Sequence, residues 1–170
     1  MSRTSWRASL KRALKPHTGN NFAVRLAIIG VGNELWGDDA AGVQVARKLH
    51  KIFPQHEELL IIDAGPSPEN FSGKLRQFRP DFVILIDAIR PDFLVSRISW
   101  IELSSIDGIS ALTHGLPLSV LGEFFNQQLG VEAGVIGIKG EQFDFGEGLS
   151  LTTRRAVNDL VRFLSQTLNS

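Results

Sequence analysis

The 170-residue sequence contains no cysteine. That excludes disulfides, a thiol nucleophile and thiolate metal sites, and it is compatible with a cytoplasmic protein. A surplus of charge is also missing. Lys+Arg and Asp+Glu number 18 each, so nothing supports nonspecific nucleic-acid binding, which needs basic groups to neutralise phosphates. No apolar run reaches the roughly 18–20 residues of a membrane span. No G-x-S-x-G elbow occurs, which argues against a serine hydrolase. The opening "MSRTSWRASLKRALKPHTGN" has no acidic residue and no apolar centre of the kind a secretion signal carries.

What is present is the composition of one globular domain, 43% apolar and 21% charged, long enough to bury a core. Residues 1–22 form a basic leader, expected as a flexible segment or a short helix ending near Pro16. If it is helical, Trp6, Leu10, Ala13 and Leu14 share one side, which suits either weak docking or a partner. Residues 23–170 are expected as a single α/β domain and the protein as a monomer.

Within that domain the apolar periodicity alternates. Val24 to Ile29 is apolar except for Arg25, as in a strand covered on both faces. Val43, Ala46, Leu49 and Phe53 follow near helical spacing. "ELLIID" (58–63) and "DFVILIDAI" (81–89) predict further strands, with a short helix around 71–78 between them. "SRISWIEL" (96–103) alternates like an edge strand. Residues 117–129 predict a helix with proline in its first turn, "EAGVIGIKG" (132–140) a strand, and Val157, Leu160, Val161, Leu164 and Leu168 a long C-terminal helix. The alternation implies a three-layer α/β sandwich with a mainly parallel twisted sheet of about five strands flanked by helices. Ligands in such folds gather beyond the carboxyl ends of the strands.

Those ends carry acids. The first predicted strand runs into "GVGNELWGDD". Gly30 and Gly32 fit the start of a dinucleotide fingerprint, but Leu35 stands at the third glycine. Gly32 and Gly37 have the P-loop spacing, but Asp38 and Asp39 replace its lysine and hydroxyl. Two anions would repel a phosphate, so the turn suits a cation or a group that carries one. One of the two aspartates is expected to cap the next helix, leaving the other for chemistry. Asp63 and Asp87 end later strands, where a carboxylate is costly to desolvate unless it is paired or metal-bound. Of four histidines, His17, His50 and His56 lie in polar surroundings. His114, in "ALTHGLPL", stands in a loop before a helix. One histidine with two carboxylates makes an open divalent-metal site.

Taken together, "GVGNELWGDDAAG", "IIDAGPSPEN", "DFVILIDAI" and "THGLPL" resemble the nickel–iron hydrogenase maturation endopeptidases, most closely the formate-hydrogenlyase branch. The resemblance implies removal of a C-terminal extension from the nickel-loaded precursor of a hydrogenase large subunit. It implies Asp39, Asp87 and His114 as metal-contacting catalytic residues, and Gly32, Asn33, Asp38 and Gly65 as client-binding positions. It implies nickel supplied by the client rather than held as a resident cofactor, and no organic cofactor. Ala40 departs from the family pattern, which often has glycine there; were a positive φ required, alanine would be strained. Two other functions fit the same residues: a nonenzymatic metallochaperone or checkpoint that binds the precursor, and a metal-dependent hydrolase of small molecules.

Overall fold

The computed structural model describes residues 5–14, 24–93, 96–103 and 118–169. Five strands form one sheet in the order β2-β1-β3-β5-β4. They are β1 (Leu26–Val31), β2 (Leu59–Gly65), β3 (Phe82–Ile89), β4 (Ile98–Glu102) and β5 (Glu132–Lys139). All neighbours are parallel except β4, which runs antiparallel to β5 at the sheet edge. The helices are α1 (Trp6–Leu14), α2 (Ala41–Ile52), α3 (Ser72–Phe78), α4 (Leu118–Leu129) and α5 (Leu151–Leu168). The three-layer sandwich and the edge position of 96–103 match the sequence expectation. Pro117, expected in the first turn of α4, lies outside the described residues.

The near-continuous apolar runs have a direct cause. Every residue of β1 and of β3 is buried, because helices cover both faces of the sheet. Alternate side chains of one strand enter opposite cores. Leu26 and Ile28 join Val45 and Leu49 of α2 and Val157, Leu160 and Leu164 of α5. Ala27, Ile29 and Val31 meet Leu75 of α3 and Leu121 and Phe125 of α4. Burial of a leucine or isoleucine contributes roughly 1.5–3 kcal/mol, so these two layers supply much of the driving force.

Residues 6–14 of the basic leader form α1, which docks on the domain itself. Leu10 is fully buried, Trp6, Ala13 and Leu14 pack against the same core, and the Trp6 ring meets Phe163 of α5 edge-on at 4.9 Å. The apolar side that suited a partner therefore covers the protein's own sheet layer.

The strand order fixes where a site can form. From β1 the chain crosses to β2 on one side, then to β3 on the other side of β1. The switch point lies between β1 and β3, where doubly wound sheets open a crevice. Pairing of β1 with β3 ends at Gly30 opposite Ile86. Asp87 is the next residue on β3, still paired with Gly137 of β5.

Candidate active site at the β1–β3 switch point

The turn after β1 is built by close backbone approach. Gly32 has φ +136, and a Cβ there would lie 1.8 Å from the carbonyl oxygen of Asp39. A side chain is thus excluded twice, by conformation and by space. Residues 37–40 then form one 3₁₀ turn leading into α2. Gly42, in the first turn of α2, seats the helix directly on the strand ends: a Cβ there would stand 2.0 Å from Ile86 O and 2.4 Å from Val31 O. Both clashes are with backbone, which cannot swing aside. Gly42→Ala is therefore expected to destabilise the fold by about 3 kcal/mol, the upper part of the overpacking range. Calorimetry reads this as a Tm lowered by about 6–12 °C; an unchanged Tm would show that α2 sits less tightly than described.

This seating carries Asp38 and Asp39 to the switch point, where both are fully buried, and Asp87 is 2% exposed. Asp39 Oδ2 accepts a hydrogen bond from the Asn33 backbone N–H at 2.6 Å, closing the turn on itself. Asp87 Oδ1 has no hydrogen-bond partner among the described residues. Burial pushes the Asp87 carboxyl well above the usual carboxylate range, and the negative charge of Asp39 adds to that; a bond from Ala88 N–H opposes it. One carboxyl from the 3₁₀ turn and one from β3 thus share one poorly solvated space, and the second cannot ionise cheaply while the first is charged.

Asp38, expected as a client-binding position, is held here by the chain's own groups. Its carboxylate accepts from Glu141 N (2.8 Å), Gln142 N (3.1 Å), Ser150 N (2.6 Å) and Ser150 Oγ (2.8 Å). It is the anchor of the β5–α5 loop, residues 140–150, and its own N–H donates to Gln142 O at 2.7 Å. Nor does either aspartate cap α2: neither the 3₁₀ turn nor the helix takes a side-chain cap. The expected division of one cap and one free acid gives way to one loop anchor and one site acid. Ala40 has φ −71, so alanine is unstrained there.

Gly32, Asn33 and Gly65 line one cleft of about 270 Å³ at the ends of β1 and β2, together with Leu35, Val43 and Arg47. Gly32 N donates to Gly65 O at 2.9 Å, joining the two strand ends. Asp63 lies apart from the buried acids: it is exposed and takes Arg47 Nε at 2.6 Å, while Arg47 Nη1 also bonds Glu34. His114 falls in residues 104–117, outside the described residues. Among the described residues no group of three metal-ligating side chains comes together; the pair Asp39 and Asp87 lacks its third member there. Sequence reasoning missed Arg47 and Ser150. Arg47 reads as an ordinary helix-face cation, and Ser150 carries only its N-cap signal, realised as Thr153 N donating to Ser150 Oγ at 3.2 Å.

Two buried carboxyls, a glycine turn and an adjoining cleft are suited to gripping a cation beside a bound chain. The known proteins that this chain is similar to carry one kind of description. The family model of HycI, hydrogenase maturation protease, matches residues 43–167. A Methanocaldococcus jannaschii protein, provisionally named a hydrogenase maturation protease, is 32% identical over 151 residues, 84% of this chain and 89% of its own length. The hydrogenase 3 maturation protease of Escherichia coli K12 is 27% identical over 138 residues, 81% of this chain and 86% of its own. The crystal structure of a NiFe hydrogenase maturation protease HycI from Thermococcus kodakarensis superimposes with a TM-score of 0.81 at 28% identity, covering 95% of this chain and 99% of that one. A family model that matches most of the chain, and a relative 32% identical over 84% of it, make the chain a member of the hydrogenase maturation protease family.

Proposed function

We propose that this endopeptidase removes a C-terminal extension from the precursor of a nickel–iron hydrogenase large subunit once nickel is installed. The observation that carries the reading is the buried pair: Asp87 keeps an oxygen without a partner among the described residues, beside the charge of Asp39. A divalent cation entering between them supplies the missing partner and cancels the repulsion. A metal held by the client does this only when the client is loaded, so occupancy of the pair reports readiness for cutting.

Asp39, Asp87 and His114 are the three residues that engage the client's nickel. Asn33, Gly32 and Gly65 line the cleft through which the scissile chain passes. The metal, brought as part of the substrate, polarises the peptide carbonyl or a water at that place. Hydrolysis then needs no thiol, in keeping with the absence of cysteine. The reading places a monomeric enzyme in the cytoplasm; no helix among the described residues is long and apolar enough to cross a membrane.

Incubating the protein with nickel-loaded and nickel-free precursor, and weighing the products by mass spectrometry, tests this. A shortened chain is expected from the loaded precursor alone, and His114→Ala should abolish it. Cutting of both precursors would remove nickel from the recognition step. Binding without cutting would make the protein a checkpoint, and cutting of small molecules only would make it a hydrolase of another kind.

A further inference from the structure

Six large apolar side chains are exposed among the described residues, Ile52, Val120 and Leu151 among them, and the other three lie together. Leu35 is 53% exposed, Trp36 39% and Phe145 67%. Trp36 and Phe145 pack against each other edge-to-face, centroids 5.4 Å apart, from two loops distant in the chain. These rings are held in place from below. Gly146 N donates to Leu35 O at 2.8 Å, Trp36 N to Asn33 O at 3.1 Å and Leu35 N to Asn33 Oδ1 at 3.0 Å. The Asp38 anchor clamps the same two loops together. An aromatic pair fixed in solvent gains little for folding; a rigid aromatic surface at low entropic cost is what a binding anchor requires.

Its surroundings say what it fits. Segments 32–41 and 140–151 contain no lysine, arginine or histidine. Glu141, Asp144 and Glu147 are all exposed around the apolar patch. An apolar centre with a charged rim is the anatomy of a protein interface, and on the side of residues 141–147 the rim is acidic, with Arg47 bonded to Glu34 on the cleft side. The patch is also continuous with the cleft, since Leu35 forms part of the cleft wall.

We infer that Leu35, Trp36 and Phe145, rimmed by Glu141, Asp144 and Glu147, dock the folded body of the hydrogenase precursor through an apolar patch bordered by basic side chains. This rests on the proposed client. The cleft takes the extended segment to be cut, while the platform beside it holds the folded part and sets its orientation.

The test measures the Kd of purified precursor for the Asp87→Asn protein, which leaves the client uncut, with and without Trp36→Ala plus Phe145→Ala. The double change is expected to weaken binding at least tenfold, with Tm held because both rings lie in solvent. Replacing Glu141, Asp144 and Glu147 by lysine should also weaken binding, and should abolish the loss of affinity that added salt causes with the acidic rim. A Kd within twofold of the parent in both variants overturns the platform. Processing by the unaltered protein runs in parallel. If it cuts while the platform variants bind normally, the platform falls and the proposed function stands. If it does not cut but the variants bind more weakly, the proposed function falls and the platform stands. No binding by any form removes both.

Discussion

Asp87→Asn is expected to abolish processing and to stabilise the protein at the same time. On the proposed function, loss of the Asp87 carboxylate removes several kcal/mol of transition-state stabilisation, a fall of about 1000-fold or more in rate. The fold responds in the opposite sense. In the wild type the Asp87 carboxyl is buried beside Asp39 and its proton affinity is raised. Below the usual carboxylate range, near pH 4, folded and unfolded chains both hold the proton and the residue contributes no pH dependence. As pH rises, the unfolded chain loses the proton while the folded one retains it, so wild-type stability falls towards neutrality. Asparagine carries no charge and escapes that fall. The advantage of the variant should therefore be small at pH 4 and grow towards pH 7, there on the scale of about 1–3 kcal/mol for a buried polar group without a partner. Melting curves across that range give the answer, with about 2–4 °C in Tm for each kcal/mol. A variant that still processes at a tenth of the wild-type rate, or that melts lower at neutral pH, would contradict the account of the site.

Asp38→Ala is expected to do the reverse in stability and to disable the enzyme indirectly. Its carboxylate satisfies three backbone N–H groups and the Ser150 hydroxyl, all in the loop that follows β5. Hydrogen bonds to a charged group are worth about 1.5–3 kcal/mol each, though not additively. Alanine leaves these donors without an acceptor, and a total cost of about 3–5 kcal/mol follows, or roughly 6–20 °C in Tm. Ser150→Ala removes one of the donors and the α5 cap, and should cost only about 1 kcal/mol. Equal losses from the two substitutions would mean that Asp38 contributes through the serine alone.

Much of this was legible in the residues. The alternation of apolar runs with helical periodicity gave five strands and their helices, because burial on both faces leaves an unmistakable apolar strand such as 82–89. The acid-bearing turn was legible too, since glycine spacing without lysine excludes a phosphate. What local pattern could not reveal was the division of labour between adjacent aspartates. A helix cap is a contact within a few residues and is the natural expectation for an acid at a helix start. The actual partners of Asp38 lie more than a hundred residues onward, and no short-range rule reaches them. Trp36 is the converse case. No local pattern says where its ring goes, and only the structure shows it in solvent against Phe145.

The same long reach orders events during synthesis. Asp38 sits 103 to 112 residues before the groups that hold it. A nascent chain that has emerged only through β3 already has both acids but not the loop that fixes their turn, and closing so long a circuit is slow relative to local folding. The turn that carries Asp38 and Asp39 is thus left without its anchor until residues 140–150 are out of the ribosome and locked.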